Sequence, residues 1–151
     1  MLKNIDPLLS PELLKVLAEM GHGDEIVLAD ANFTAASLAV GKPFVRLPGV
    51  GMRAACAAVL SVLPLDAAVA QPVACMHVGG SAESYRSALQ REVIGDIEAA
   101  GIATASQCAA LERFAFYERT RHAYAVVQTG EQQPWANFLF KKGVIAQELR
   151  A

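Results

Sequence analysis

The chain has 151 residues, of which 54% are hydrophobic and 19% are charged, and its formal net charge is −2 at pH 7. These values fit a single domain, residues 1–151, with a sizeable hydrophobic core, and they exclude a disordered chain. The lack of a basic tract, of an apolar run of roughly 18 residues and of a signal-peptide core leads us to expect a cytoplasmic protein with neither a nucleic-acid nor a membrane partner.

The first predicted helix begins at Pro11 and ends before Gly21. Ser10 is a good N-cap, proline suits the first turn, and Glu12 lies near the positive end of the helix dipole. One apolar face follows at helical spacing: Leu13, Leu14, Leu17 and Met20. The short apolar run 25–30 then predicts a strand that is covered on both faces.

The rest of the chain alternates predicted helices and strands. Helices are expected over residues 51–65, 81–101 and 113–123. Strands are expected over residues 72–78, 124–130 and 137–144. This alternation predicts an α/β domain with a central sheet flanked by helices. It does not determine the order of the strands in the sheet.

His22 lies between two glycines and next to two acids in the segment GHGDE, just before the first predicted strand. Gly21 and Gly23 allow backbone conformations that other residues avoid, so the imidazole can project into a cleft. Histidine changes its charge near pH 7 and is the usual side chain for proton transfer. The segment therefore indicates an acid/base group, and the alternative is a solvated histidine in a polar loop.

Asp30 ends the first predicted strand. Ligands of α/β sheets bind outside the carboxyl ends of the strands, and a carboxylate there can accept hydrogen bonds from two neighbouring hydroxyls. The alternative is a turn aspartate that bonds the backbone of the residues after it. The local sequence favours neither interpretation.

Two later segments contain further candidate ligand-binding residues. In RFAFYER, the guanidinium of Arg113 or Arg119 can hold hydroxyls or a carboxylate beside Tyr117. In PWAN, Trp135 can lie against the C–H face of a sugar ring, and Asn137 can both donate to and accept from a hydroxyl. The alternative for Trp135 is an aromatic side chain that packs in the loop between two strands.

Several classes of site lack a supporting motif. No C-x-x-C pair occurs, and we expect buried thiols at all three cysteines, Cys56, Cys75 and Cys108. The three histidines do not have the spacing of metal ligands. Nucleotide-binding loops and the serine-hydrolase elbow are absent from the sequence. We therefore expect neither a metal nor an organic cofactor.

Three segments together resemble the RbsD/FucU family of small-sugar mutarotases, most of all its L-fucose members. They are LKNIDPLLSPELLKVLAEMGHGDEIVLADANF, RFAFYERTRHAYAVVQTGE and WANFLFKKGV. Their order and separation along the chain match those of the family, and the resemblance is weaker over residues 41–107. It implies an RbsD-like α/β fold, homo-oligomeric rings that are commonly decamers, and active sites near subunit boundaries.

The resemblance also implies an activity and its residues. The expected reaction interconverts the α and β anomers of a reducing monosaccharide, in the first place L-fucose, by acid/base-catalysed ring opening without a cofactor. His22 corresponds to the proton donor of the family. The expected sugar-binding residues are Asp30, Arg113, Tyr117, Trp135, Ala136 and Asn137, of which Tyr117 comes from the cluster in RFAFYER rather than from the family pattern.

One position departs from the family pattern. The family usually has tyrosine where this chain has Trp135, and the indole N–H only donates, whereas a phenol hydroxyl donates and accepts. Two alternatives to an L-fucose mutarotase therefore stay open. The first is a D-ribose pyranase, which interconverts pyranose and furanose forms by the same ring opening. The second is a sugar-binding module without catalytic activity.

Overall fold

The computed structural model describes residues 1–146, so residues 147–151 of the predicted domain lie outside the described residues. Its helices are α1 Pro11–Glu19, α2 Ala35–Leu38, α3 Met52–Leu60, α4 Ala88–Ala99 and α5 Arg113–His122, with a 3₁₀ helix at Ala105–Gln107. Its strands are β1 Glu25–Ala29, β2 Phe44–Leu47, β3 Val73–Met76, β4 Cys108–Leu111, β5 Ala125–Thr129 and β6 Phe138–Lys141. None of the described helices is long and apolar enough to cross a membrane.

Capping residues determine where the helices begin. The hydroxyl of Ser10 accepts a hydrogen bond from the backbone N–H of Leu13 at 3.2 Å, which confirms the predicted start of α1. The predicted start of the helix over residues 81–101 is wrong, since α4 begins at Ala88. Ser87 and Gln90 bond each other's backbone N–H groups in a capping box, and this fixes the first turn there.

Two strands and one helix were not predicted from the sequence. β2 is a four-residue edge strand between Pro43 and Pro48, too short to show a clear periodicity. β4 has the sequence CAAL, whose alanines have low strand propensity. α2 has only four residues. The predicted class, a sheet flanked by helices, is confirmed.

The six strands form one sheet in the order β2-β5-β1-β6-β3-β4. The pairs β2/β5, β5/β1 and β3/β4 are parallel, and β6 is antiparallel to both of its neighbours. Five strands therefore run in one direction, and β6 alone runs in the other. The carboxyl ends of the five strands and the amino end of β6 meet at the same edge of the sheet.

Alternate strand residues fill two cores, one on each face of the sheet. On one face, α1, α3 and α4 cover residues such as Ile26, Leu28 and Cys75. On the other face, α2 and α5 cover residues such as Val27 and Leu139. Both faces are covered, so the strands are apolar throughout, as the run at β1 predicted. The three cysteines are buried and unpaired, which confirms the expectation of buried thiols.

Candidate active site

A pocket of about 140 Å³ lies at the sheet edge where the carboxyl end of β1 meets the amino end of β6. It is lined by Asp30, Asn32, Phe33, Met76, Arg113, Tyr117, Pro134, Trp135 and Asn137. The loop from β5 to β6 crosses the end of β1, because β1 lies between these two strands in the sheet. This crossing brings Asp30 together with Trp135 and Asn137, more than a hundred residues later in the chain.

Asp30 and Asn137 form a buried, reciprocally bonded pair at the base of the pocket. The Asp30 backbone N–H donates to the Asn137 side-chain oxygen at 2.8 Å, and the Asn137 amide donates to Asp30 Oδ2 at 2.9 Å. Asp30 Oδ1 accepts from the backbone of Asn32 at 2.9 Å. Burial raises the pKa of Asp30 above its ordinary value, although these hydrogen bonds favour the ionised form. The carboxylate is therefore held in one orientation.

Arg113 and Tyr117 line the same pocket from the first turns of α5. The side chain of Glu112 caps this helix by accepting from the backbone N–H groups of Phe114 and Ala115, which places Arg113 at its first position. Arg113 Nε donates to the Tyr117 hydroxyl at 2.9 Å. Within residues 1–146 the terminal guanidinium nitrogens of Arg113 make no hydrogen bond, so they can hold the hydroxyl of a ligand.

Trp135 forms the apolar side of the pocket. Its indole lies against the backbone of Gly79, and its own backbone has a φ of 67°. Ala136 follows with no solvent exposure, and it is not among the residues that line the pocket. Five of the seven predicted site residues therefore line one pocket, whereas Ala136 is buried beside it and His22 lies elsewhere.

His22 lies at the other edge of the sheet. It precedes β1, whereas Asp30 follows it, and the five residues of β1 span about 16 Å at the usual rise per residue. Its Nε2 lies 3.2 Å from Asp66 Oδ1, and its side chain is 52% exposed. The acids next to it in sequence bond elsewhere: Asp24 accepts from the backbone of Gly21, and Glu25 pairs with Arg119 and Lys141.

The loop that carries His22 is held by the end of β6. The Gly23 N–H donates to the Lys142 carbonyl at 2.8 Å, and the Lys142 N–H donates to the Asp24 carbonyl at 2.8 Å. Gly23 has a φ of 86°, a conformation that favours glycine. The Lys142 ammonium donates to carbonyls in the last turn of α1, Leu17 and Met20. His22 is thus exposed on a loop of fixed conformation.

The sequence analysis missed two residues that bond to the predicted site residues. Asp66 is nearly buried, and its pKa lies below the ordinary value because the Ala68 backbone N–H donates to it and His22 lies beside it. Gln90 is fully buried and bonds the backbone of Trp135. Both lie far from their partners in sequence, so no spacing pattern pointed to them. The one signal in the sequence was the S-x-x-Q pattern of Ser87 and Gln90, which is typical of a capping box.

A second groove of about 220 Å³ between α3 and α4 does not suit a polar ligand. Its lining is almost entirely apolar, and Arg53 and Asp96 bond each other at its rim. Sites for polar small molecules need several convergent polar groups, which the Asp30 pocket provides. Among residues 1–146, no three His, Cys, Asp or Glu side chains are grouped so that they could hold a metal ion.

Comparison with known proteins gives matches over nearly the whole chain. A model of the RbsD / FucU transport protein family matches residues 3–145. The fucose mutarotase of Homo sapiens is 46% identical over 150 residues, covering 96% of this chain and 95% of that protein. The L-fucose mutarotase of Haemophilus influenzae is 44% identical over 144 residues, covering 95% of this chain and 97% of that protein.

A solved structure agrees with these relatives. The crystal structure of the fucose mutarotase from Streptococcus pneumoniae in complex with L-fucose has a TM-score of 0.88 to this chain, with 40% sequence identity. The match covers 96% of this chain and 100% of that one. Because the family model, the relatives and the fold agree over nearly the full length, this chain belongs to the RbsD/FucU family.

Proposed function

We propose that this protein is a mutarotase that interconverts the α and β anomers of a reducing monosaccharide, with L-fucose as its substrate. The observation that carries the proposal is the buried Asp30–Asn137 pair, which lines a small pocket together with Arg113 and aromatic side chains. Such a pocket offers fixed polar groups for hydroxyls and an apolar surface for C–H groups. The 40–46% identity to fucose mutarotases supports L-fucose as the sugar.

Opening the sugar ring requires two proton transfers, closing it requires the reverse two, and the reaction changes no oxidation state. In the cyclic sugar, the ring oxygen gains a proton while the anomeric hydroxyl loses one, and the bond between C1 and the ring oxygen breaks. The open aldehyde then rotates about its C1–C2 bond. The hydroxyl adds back to the other face of the carbonyl, with the reverse proton transfers, and this closes the ring as the other anomer.

His22 is the group that we propose for these proton transfers. Its imidazole is exposed, and the Asp66 carboxylate beside it can orient the ring, as a carboxylate does in other acid/base pairs. His22 and the Asp30 pocket lie at opposite edges of the sheet of one chain. We therefore propose that His22 of one subunit completes the pocket of a neighbour, in a homo-oligomeric ring that is commonly a decamer in this family.

The remaining predicted residues hold the sugar in this proposal. The Asp30 carboxylate accepts hydrogen bonds from hydroxyls of the sugar, and the Asn137 amide can donate or accept. Arg113 donates to another hydroxyl. Tyr117 orients Arg113 through the bond from Nε to its hydroxyl. Ala136 is fully buried and links Trp135 to Asn137, and Trp135 packs on the C–H face of the ring. Fixing the sugar in this way makes each proton transfer effectively intramolecular.

The decisive experiment is saturation-transfer proton NMR on L-fucose at equilibrium. One anomeric proton is irradiated with and without the protein, and we expect transfer to the other anomeric signal only with the protein present. Line broadening without transfer would instead support a sugar-binding module, the alternative that Trp135 in place of tyrosine leaves open. The protein is tested on D-ribose in the same way. If L-fucose gives neither effect and the pyranose and furanose forms of D-ribose interconvert, the activity is that of a pyranase and the L-fucose assignment is wrong.

A further inference from the structure

The indole of Trp135 occupies space that exists only because residue 79 has no side chain. A Cβ atom added to Gly79 would lie 2.8 Å from Cη2 and 3.0 Å from Cζ2 of Trp135. Carbon atoms in contact lie about 3.5–4.0 Å apart, so an alanine here would force the indole to move. The φ of Gly79 does not lie in the left-handed region, so its backbone conformation suits an alanine. The indole is therefore the group with which the added Cβ atom collides.

The backbone of Trp135 is held from the opposite side. Its φ of 67° is unfavourable for a large side chain, so the surrounding structure must stabilise it. Gln90, which is fully buried on α4, donates from Nε2 to the Trp135 carbonyl at 3.1 Å and to the Met76 carbonyl at 2.7 Å. The other end of its amide, Oε1, accepts from the Ser87 N–H at 3.0 Å. The amide therefore cannot turn without losing hydrogen bonds.

We infer that Gly79 is a positioning residue for sugar binding: its missing side chain, together with the bond from Gln90, fixes the indole of Trp135 as the apolar side of the pocket. The matching ligand is an aldose that presents C–H groups to the indole and hydroxyls to Asp30 and Asn137. The identity of this ligand rests on the proposed function. The placement of the indole does not, because it follows from the contacts of Gly79 and Gln90.

The test compares Gly79→Ala with the wild type and with Gly95→Ala. Gly95 is a matched control, since an added Cβ there would meet nothing within 4 Å. Trp135 is the only tryptophan, so fluorescence emission reports its surroundings directly. We expect Gly79→Ala to shift the emission without sugar and to raise the Kd for L-fucose in calorimetry about ten-fold. Gly95→Ala should match the wild type in both measurements.

Repeating the substitution in the variant Trp135→Phe separates a positioning role of Gly79 from a general structural role. In Trp135→Phe the smaller ring leaves room at Gly79, so adding Gly79→Ala should change the Kd less than about two-fold. An equally large effect in both backgrounds would contradict the inference. If Gly79→Ala alone fails to fold, the double variant should still fold. Failure of the double variant to fold would also overturn the inference.

The outcomes also distinguish this inference from the proposed function. If the wild type exchanges the anomers of L-fucose and Gly79→Ala has the emission and Kd of the wild type, the inference is wrong and the proposed function stands. If the wild type neither binds nor exchanges L-fucose, the proposed function is wrong. In that case an emission shift in Gly79→Ala still supports the placement of the indole.

Discussion

His22 shows how far a single residue could be interpreted from its neighbours in the sequence. The backbone freedom expected of the glycines is used at Gly23, whose φ is 86°. The imidazole is half exposed, and it does not project into the Asp30 pocket of its own chain. The partner of the imidazole was not predictable. Asp24 and Glu25 are adjacent in sequence, but Asp66 is the carboxylate that lies 3.2 Å away. A backbone hydrogen bond to the end of β6 brings Asp66 there, since the Asp66 N–H donates to the Lys141 carbonyl.

Replacing His22 tests its role in proton transfer. In His22→Ala we expect anomer exchange of L-fucose to fall by about 10²–10⁴-fold, the usual contribution of a positioned acid/base group. Because the side chain is half exposed, folding and sugar affinity should be retained. Saturation-transfer NMR gives the rate and calorimetry the affinity. His122→Ala, which changes an exposed histidine on α5, is the control. An unchanged exchange rate in His22→Ala would contradict the assigned role.

The carboxyl ends of α1 and α5 accept hydrogen bonds from lysine side chains in distant parts of the chain. The last turn of α1 contains no basic residue, yet its carbonyls accept from the ammonium group of Lys142. The end of α5 accepts in the same way from Lys42, at the carbonyls of Thr120, Arg121 and Ala123. Positive charge at these carboxyl ends interacts favourably with the helix dipole and bonds otherwise unpaired carbonyls. The Lys142 contacts fix the loop after α1, which carries His22.

Glu25 joins three elements at the same edge of the sheet. It begins β1 and bonds Arg119 of α5 and, at 3.0 Å, Lys141 of β6. Burial raises the pKa of Glu25, but the two cations lower it more, so the net pKa lies below the ordinary value of 4.5. The unfolded state therefore binds a proton at a higher pH than the folded state does. The contribution of Glu25 to stability is complete above pH 4.5 and is lost as the pH falls through the folded pKa.

Glu25→Gln measures this contribution. At pH 7 we expect the free energy of unfolding to fall by about 1–2 kcal/mol, because Arg119 and Lys141 lose a charged acceptor but keep access to water. Well below pH 4.5 the difference from the wild type should shrink. Urea unfolding at both pH values, at one protein concentration, gives the two differences. The exposed Glu83→Gln is the control. A difference that stays constant with pH would show that the ion pairs are not its cause.

For the whole molecule, the direction of β6 decides which residues meet. Five strands point their carboxyl ends to one edge, and β6 begins there, so Asp30, Arg113 and Asn137 share a pocket. The same topology places His22, before β1, at the other edge. A single chain therefore cannot combine the proposed acid/base group with the sugar pocket. The low content of charged residues agrees with a chain whose surface is partly covered by other copies.

Co-expression of two inactive variants tests the shared site. In a mixed oligomer of His22→Ala and Arg113→Ala chains, a pocket from the first chain can receive His22 from the second. Random assembly gives roughly a quarter of all sites both residues, and we expect that share of the wild-type exchange rate. The same variants, purified separately and mixed after assembly, are the control if subunits do not exchange. No recovery on co-expression would mean that His22 acts within its own chain or not at all.

Local patterns in the sequence predict the class of fold, most helices and strands, and a set of candidate residues. These follow from local physics: apolar periodicity, capping residues, and motifs carried by contiguous residues such as RFAFYER. The tertiary structure alone decided the strand order, the separation of His22 from Asp30, and the contacts of Asp66, Gln90 and Gly79. Each of these depends on pairings between residues far apart in the chain, which leave no local pattern because both cores are filled by similar apolar side chains.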